Sequence, residues 1–121
     1  MTQKVSSGNY TIEFDVNSAT IRESSYPTLE EIGKNFIVAE NLLASIVGHT
    51  DNTGDHDANI SLSKRRAESV KNWLMAKYPD AFKNKITTSG VGSDQPLQGV
   101  SADSKEGRQK NRRVEIILGR Q

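Results

Sequence analysis

Two hydrophobic periods alternate along this chain, and that alternation restricts its possible folds more than any other feature. Tyr10, Ile12 and Phe14 alternate with Thr11 and Glu13, the period-two signature of a strand with one buried face. Leu29, Ile32, Phe36 and Ala39 then follow at helical spacing, with Glu30, Glu31 and Lys34 turned outward. That is an amphipathic helix, which Ser24 or Ser25 can cap and Pro27 can start. Gly33 weakens it by about 1 kcal/mol relative to alanine, a cost that close packing would explain. Leu42 to Val47 is a short apolar run ending at Gly48, and its length suits a strand buried on both faces.

A second helix is expected from about Asp55 or Asn59 to Tyr78, with Leu62, Ala67, Val70, Leu74 and Tyr78 as its stripe and Pro79 as its stop. Ile86 to Ser89 is a weaker strand, and a short charged helix follows around Lys105 to Asn111. Val114, Ile116 and Leu118 mark a last strand. This β–α–β–α–β–α–β order predicts an α/β (α+β) sandwich, a four-stranded mixed, largely parallel sheet with helices packed against it. Residues 1–9 are polar and patternless, a disordered lead, and residues 10–120 form the expected domain.

Composition narrows the function classes. Sixteen basic and fifteen acidic residues leave a formal charge of +1 over 121 residues, which argues against a dedicated nucleic-acid binder. The absence of cysteine excludes disulfides and thiolate metal sites. No run approaches the roughly 18 apolar residues of a membrane helix.

The densest polar segment is HTDNTGDHD (49–57), where His49, Asp51, Asp55, His56 and Asp57 invite a metal reading. Its spacing is wrong for an EF-hand starting at Asp51, which would need glycine at His56 and glutamate at Leu62. No HExxH pair exists for zinc, so a solvated turn and helix cap is the better account. A hydrolase would use His49 and Asp51 with Ser61 or Ser63 as nucleophile, but no GxSxG elbow exposes a serine. The expectation is therefore a non-enzyme without metal or cofactor.

Arg65 and Arg66 point about 100° apart on a helix. Arg66 borders the face of Val70, whereas Arg65 should face solvent. An arginine beside an apolar stripe has either a structural partner, such as Asp51, or a ligand carboxylate to grip. Spacing alone leaves both open. The basic segment KEGRQKNRRVE (105–115) lacks the interleaved aromatics of a nucleic-acid surface and reads as a solvated helix and strand edge with one ligand-facing arginine at most.

GHTDNTG (48–54), Asn59, LSKRRAESV (62–70), GVGSDQP (90–96) and NRRVEI (111–116) occur in order. Together they resemble the OmpA-like peptidoglycan-binding domain of outer-membrane proteins, peptidoglycan-associated lipoproteins and flagellar stator subunits. FDVNSATI (14–21) is similar to the family's first strand and following loop. The resemblance implies non-covalent binding of peptidoglycan through the diaminopimelate of its stem peptide, anchoring an envelope protein to the cell wall. The family's ligand-binding aspartate and arginine fall on Asp51 and Arg66, with Asn59 supporting them. Thr50 and Thr53 belong to the same turn. Phe14, Asp15, Val16 and Asn17 match the opposite wall, and Arg112 is a further contributor.

The resemblance also implies a periplasmic location, tethered to the outer membrane, or to the inner membrane for a stator-type parent, through an anchor outside this chain. The alternative is an envelope-protein interaction module of Tol or stator type. Val91 and Ser93 depart from the family's aromatic and glutamate, which bears on the packing of that turn.

Overall fold

The computed structural model describes residues 9–39 and 41–120. Residues 1–8 of the expected lead lie outside them, while Asn9 already belongs to the first strand. Each periodic segment forms the element its pattern predicts: β1 (Asn9–Glu13), α1 (Tyr26–Val38), β2 (Leu42–Gly48) and α2 (His56–Lys77). A four-residue helix that periodicity did not register follows at once, α3 (Pro79–Phe82). Pro79 stops α2 and starts α3, because a ring that cannot continue a helix is well suited to a first turn. Phe82 of α3 is buried and stacks on Phe36, with ring centroids 4.3 Å apart. The chain continues through β3 (Ile86–Gly90), α4 (Lys105–Asn111) and β4 (Arg113–Arg120).

The four strands form one mixed sheet in the order β1-β4-β2-β3. β1, β2 and β3 run the same way, and β4 runs against them between β1 and β2. The expected largely parallel sheet thus has three of its four strands in one direction, but among the described residues β2–β3 is its only parallel hydrogen-bonded pair. Periodicity reveals that a last strand exists, not where it inserts. Nor is β2 buried on both faces. Leu42, Ala44 and Ile46 are buried, whereas Leu43 is 37% exposed and Ser45 and Val47 are half-buried. Its core-facing residues pack with Leu29, Ile32 and Phe36 of α1, Ala67, Val70 and Leu74 of α2, and Val114, Ile116 and Leu118 of β4.

Local signals were met unevenly. Asp55 caps α2 by accepting from the Ala58 amide. Ser25, by contrast, makes no side-chain cap, because residues Glu23–Ser25 already turn as a 3-10 helix into α1. The close packing suspected at Gly33 is present: a Cβ there would overlap the Tyr78 ring.

β4 begins where β1 and β2 end. Phe14 therefore donates its amide to Arg112 O (2.7 Å), and His49 donates to Arg113 O (2.8 Å). Thr50 donates to Gly92 O (2.9 Å), which brings the 90–96 turn to the same end of the sheet. That turn buttresses the loop after β2, and its Val91 donates its amide to Gly48 O (3.1 Å).

Candidate polar cleft at the sheet end

Arg66 holds this end together. It is 0% exposed, although its helix also carries solvent-facing charges. Its Nε donates to Ser18 O (2.8 Å), Nη1 to His49 O (2.9 Å) and Nη2 to Asp15 O (2.9 Å). The guanidinium lies 5.4 Å from the centre of the Phe14 ring. One side chain thus ties the loop after β1 to the end of β2. A guanidinium has five N–H donors, and three bonds leave two uncommitted, one on each terminal nitrogen. Burial, together with the charges of Arg112 and Arg65 and despite Asp51, lowers its pKa to about 10. It remains a cation at neutral pH.

Asp51 is also buried, but it does not pair with Arg66 as one sequence reading suggested. Its Oδ2 accepts from Arg112 Nη1 (2.9 Å). Its Oδ1 accepts from the Thr53 amide (2.9 Å) and from the Thr53 hydroxyl. Burial pushes the Asp51 carboxyl up, but the Thr53 and Arg112 hydrogen bonds outweigh it and hold the pKa below the ordinary carboxylate value. Arg112, the least expected of the contributors, is therefore the one that neutralises Asp51. It is steadied by Gln109 Oε1, 2.7 Å from its Nη2.

The remaining expected residues divide. Asn59 donates to Thr53 O (3.0 Å) and fixes the turn. Thr50 Oγ1 is buried and, among the described residues, has no hydrogen-bond partner, an unusual state for a hydroxyl of a residue that lines a polar cavity. Asn17 adopts φ 54°, a left-handed conformation that asparagine tolerates. Asp15 offers only its carbonyl to the cluster, since its carboxylate is exposed and paired with Arg22. Val16 is 60% exposed, and its side chain does not line the cavity.

Asn17, Thr50, Asp51, Thr53, Asn59, Leu62, Arg66 and Arg112 line a small cavity of about 10 Å³, room for roughly one water. It shares Asn17, Thr53, Asn59 and Leu62 with an open cleft of about 410 Å³ that runs over the start of α2.

The residues of the hydrolytic reading do not converge. Ser63 is buried, donates to Ile60 O and accepts from the Gly92 amide, and Ser61 is exposed. Only the carbonyl of His49 meets Arg66. Its ring is buried with Nε2 3.3 Å from Glu115 Oε1, off the line of a hydrogen bond, and burial followed by the Arg113 charge lowers its pKa. Among the described residues no three His, Asp or Glu side chains are grouped to hold a metal ion, and no helix is long and apolar enough to cross a membrane.

This end of the sheet, with its paired loops and buried Asp–Arg set, defines a class of polar-cleft α/β domain. Residues 13–112 match the model of the OmpA family, and the chain belongs to that family. It is 36% identical over 107 residues to the probable lipoprotein YiaD of Escherichia coli K12, covering 88% of this chain and 47% of that protein. It is also 36% identical over 107 residues to the peptidoglycan-binding protein ArfA of Mycobacterium tuberculosis H37Rv, covering 88% of this chain and 32% of ArfA. The chain thus spans less than half the length of these two relatives. Its fold is that of the peptidoglycan-associated lipoprotein of Burkholderia pseudomallei, with TM-score 0.79 at 21% identity over 90% of this chain and 89% of that one.

Proposed function

We propose that this domain is a non-catalytic anchor that binds peptidoglycan through the diaminopimelate side chain of the stem peptide. The observation that carries the reading is one cavity lined by a buried carboxylate and a buried guanidinium that are not bonded to each other. The end of the diaminopimelate side chain carries an ammonium and a carboxylate on one carbon. Asp51 accepts from the ammonium, the two uncommitted N–H groups of Arg66 grip the carboxylate, and the Thr50 hydroxyl gains the partner it lacks. Arg112 keeps Asp51 ionised before the ligand arrives and yields part of that contact when it does. Each charge-assisted hydrogen bond contributes about 1.5–3 kcal/mol, so losing one weakens binding about ten- to a hundredfold.

The name of ArfA supports the peptidoglycan part of this reading. In the cell the domain would sit in the periplasm, held by an envelope protein whose other parts reach the membrane.

Sedimentation with purified sacculi tests the proposal. The domain should pellet with diaminopimelate-type sacculi and stay in solution with lysine-type sacculi, because lysine leaves Arg66 without a carboxylate. Equal pelleting with both would contradict the clamp. The pH profile has a definite sign. The depressed pKa of Asp51 means that its charge persists through the ordinary carboxylate range and is lost only as pH falls below it. Binding should therefore stay level through that range and fail beneath it.

A further inference from the structure

Arg65 is exposed, as its angle on α2 predicts, and it borders the open cleft beside the clamp together with Asn17 and Asp55. Among the described residues it makes no side-chain hydrogen bond and no ion pair. The clamp cavity, at about 10 Å³, is far too small for a peptide, whereas the cleft, at about 410 Å³, has the size of a small-ligand site. The two share four lining residues, so a chain leaving the clamp enters the cleft.

The charges around this continuous surface do not balance. Arg65, Arg66 and Arg112 contribute three positive charges, against two negative charges from Asp51 and Asp55. Asp51 is already held by Thr53 and Arg112, and Asp55 accepts from the amide of Ala58 at the start of α2. The proximity of Arg65 is felt at Arg66, whose pKa its charge helps to lower. A zwitterionic diaminopimelate end brings no net charge and leaves this excess in place. An additional anionic group on the ligand would relieve it.

We propose that the cleft is a second anion subsite, in which Arg65 binds the free α-carboxylate of the γ-linked glutamate that precedes diaminopimelate in the stem peptide. This rests on the clamp reading of the previous section. The γ-linkage leaves that carboxylate unconsumed by the peptide backbone. It is therefore a fixed negative charge one residue from the diaminopimelate, presented to a guanidinium whose fork suits it. Amidation of the glutamate would remove the charge, so the subsite distinguishes the acid from its amide.

Calorimetric titration can separate the two sites. Wild type and Arg65→Gln would each be titrated with free diaminopimelate, with L-alanyl-γ-D-glutamyl-diaminopimelate, and with the same tripeptide carrying an amidated glutamate α-carboxylate. Arg65 is exposed and its side chain supports nothing else, so the variant should fold as wild type. Wild type should bind the acid tripeptide about five- to tenfold tighter than the amidated one, the strength of a partly solvated charge-assisted pair. Arg65→Gln should erase that difference and leave the affinity for free diaminopimelate unchanged, a coupling that the double-mutant cycle isolates. Equal binding of acid and amide by wild type would overturn the subsite. So would an equal weakening of all three ligands by Arg65→Gln, which would indicate only a general field. No binding of free diaminopimelate to wild type would instead overturn the clamp, and the subsite with it.

Discussion

Replacing Arg66 by methionine is expected to destabilise the domain by about 3–5 kcal/mol, before any question of ligand arises. Two effects compete. Removing a buried cation relieves the burial penalty that lowers its pKa to about 10. Against this, the carbonyls of Asp15, Ser18 and His49 all lose their donor. Each charge-assisted bond is worth about 1.5–3 kcal/mol, and each stranded carbonyl adds a desolvation cost of about 1–3 kcal/mol. Three such losses outweigh the relief. In a domain with a total stability of about 5–15 kcal/mol this is a large fraction, equivalent to a fall in Tm on the order of 10–20 °C.

Arg66→Lys keeps the charge but cannot span three diverging carbonyls, so it should fall between the two. Urea unfolding measures the series, and a methionine variant with an unchanged midpoint would contradict this account. Because Arg66 is both strut and proposed ligand group, loss of binding in its variants does not by itself identify a clamp.

Gly48→Ala should cost about 3 kcal/mol or more, at or beyond the upper end of ordinary overpacking. Gly48 is the last residue of β2, and a Cβ there would overlap the carbonyl oxygen of Ser63 in α2. Its partner across the parallel ladder, Gly90, would meet Lys64 N at 2.5 Å. The helix thus lies directly on a pair of glycines, and its backbone cannot retreat into a rotamer as a side chain could. Moving α2 outward also lifts Arg66, one turn further along, away from His49 O. Gly119→Ala supplies the control, since a Cβ on that β4 glycine meets nothing within 4 Å. Its effect on the unfolding midpoint should be small or slightly stabilising. Similar losses for both glycines would show that β propensity, and not helix contact, governs these positions.

β1, α1, α2 and β4 were legible because each has a clean period. α4 matches its expected range, and α2 begins one residue after its aspartate cap. α3 was hidden because four residues carry no period, and only the proline at its start marked it. The pairing of β4 between β1 and β2 is a tertiary choice that no local pattern encodes. The two faces of β2 were misjudged for a similar reason: Leu43 and Val47 are apolar in sequence, yet the helices cover only the other side.

At the site, residue types pointed to Asp51 and Arg66 but not to their partners. Arg66 binds carbonyls, and backbone acceptors leave no trace in composition. Arg112 and Arg113 are adjacent in NRR, yet one turns to Asp51 and the other to Glu115. Arg65 faces solvent as its angle on α2 predicts, but the cleft it borders is built partly by a loop distant in sequence, which no local pattern reveals.

The central claim is that Asp51 and Arg66 together receive one zwitterionic end of diaminopimelate. The most direct measurement is calorimetric titration of free diaminopimelate into wild type and Asp51→Asn, with Nα-acetyl-lysine amide, whose one free end is an ammonium without a carboxylate, as the comparison. The asparagine can still accept from Thr53 and so preserves the turn while removing the charge. Saturable binding of diaminopimelate by wild type is predicted, weakened at least about tenfold by Asp51→Asn and absent for the blocked lysine. Equal heats for wild type and Asp51→Asn, or equal affinity for diaminopimelate and the blocked lysine, would contradict it.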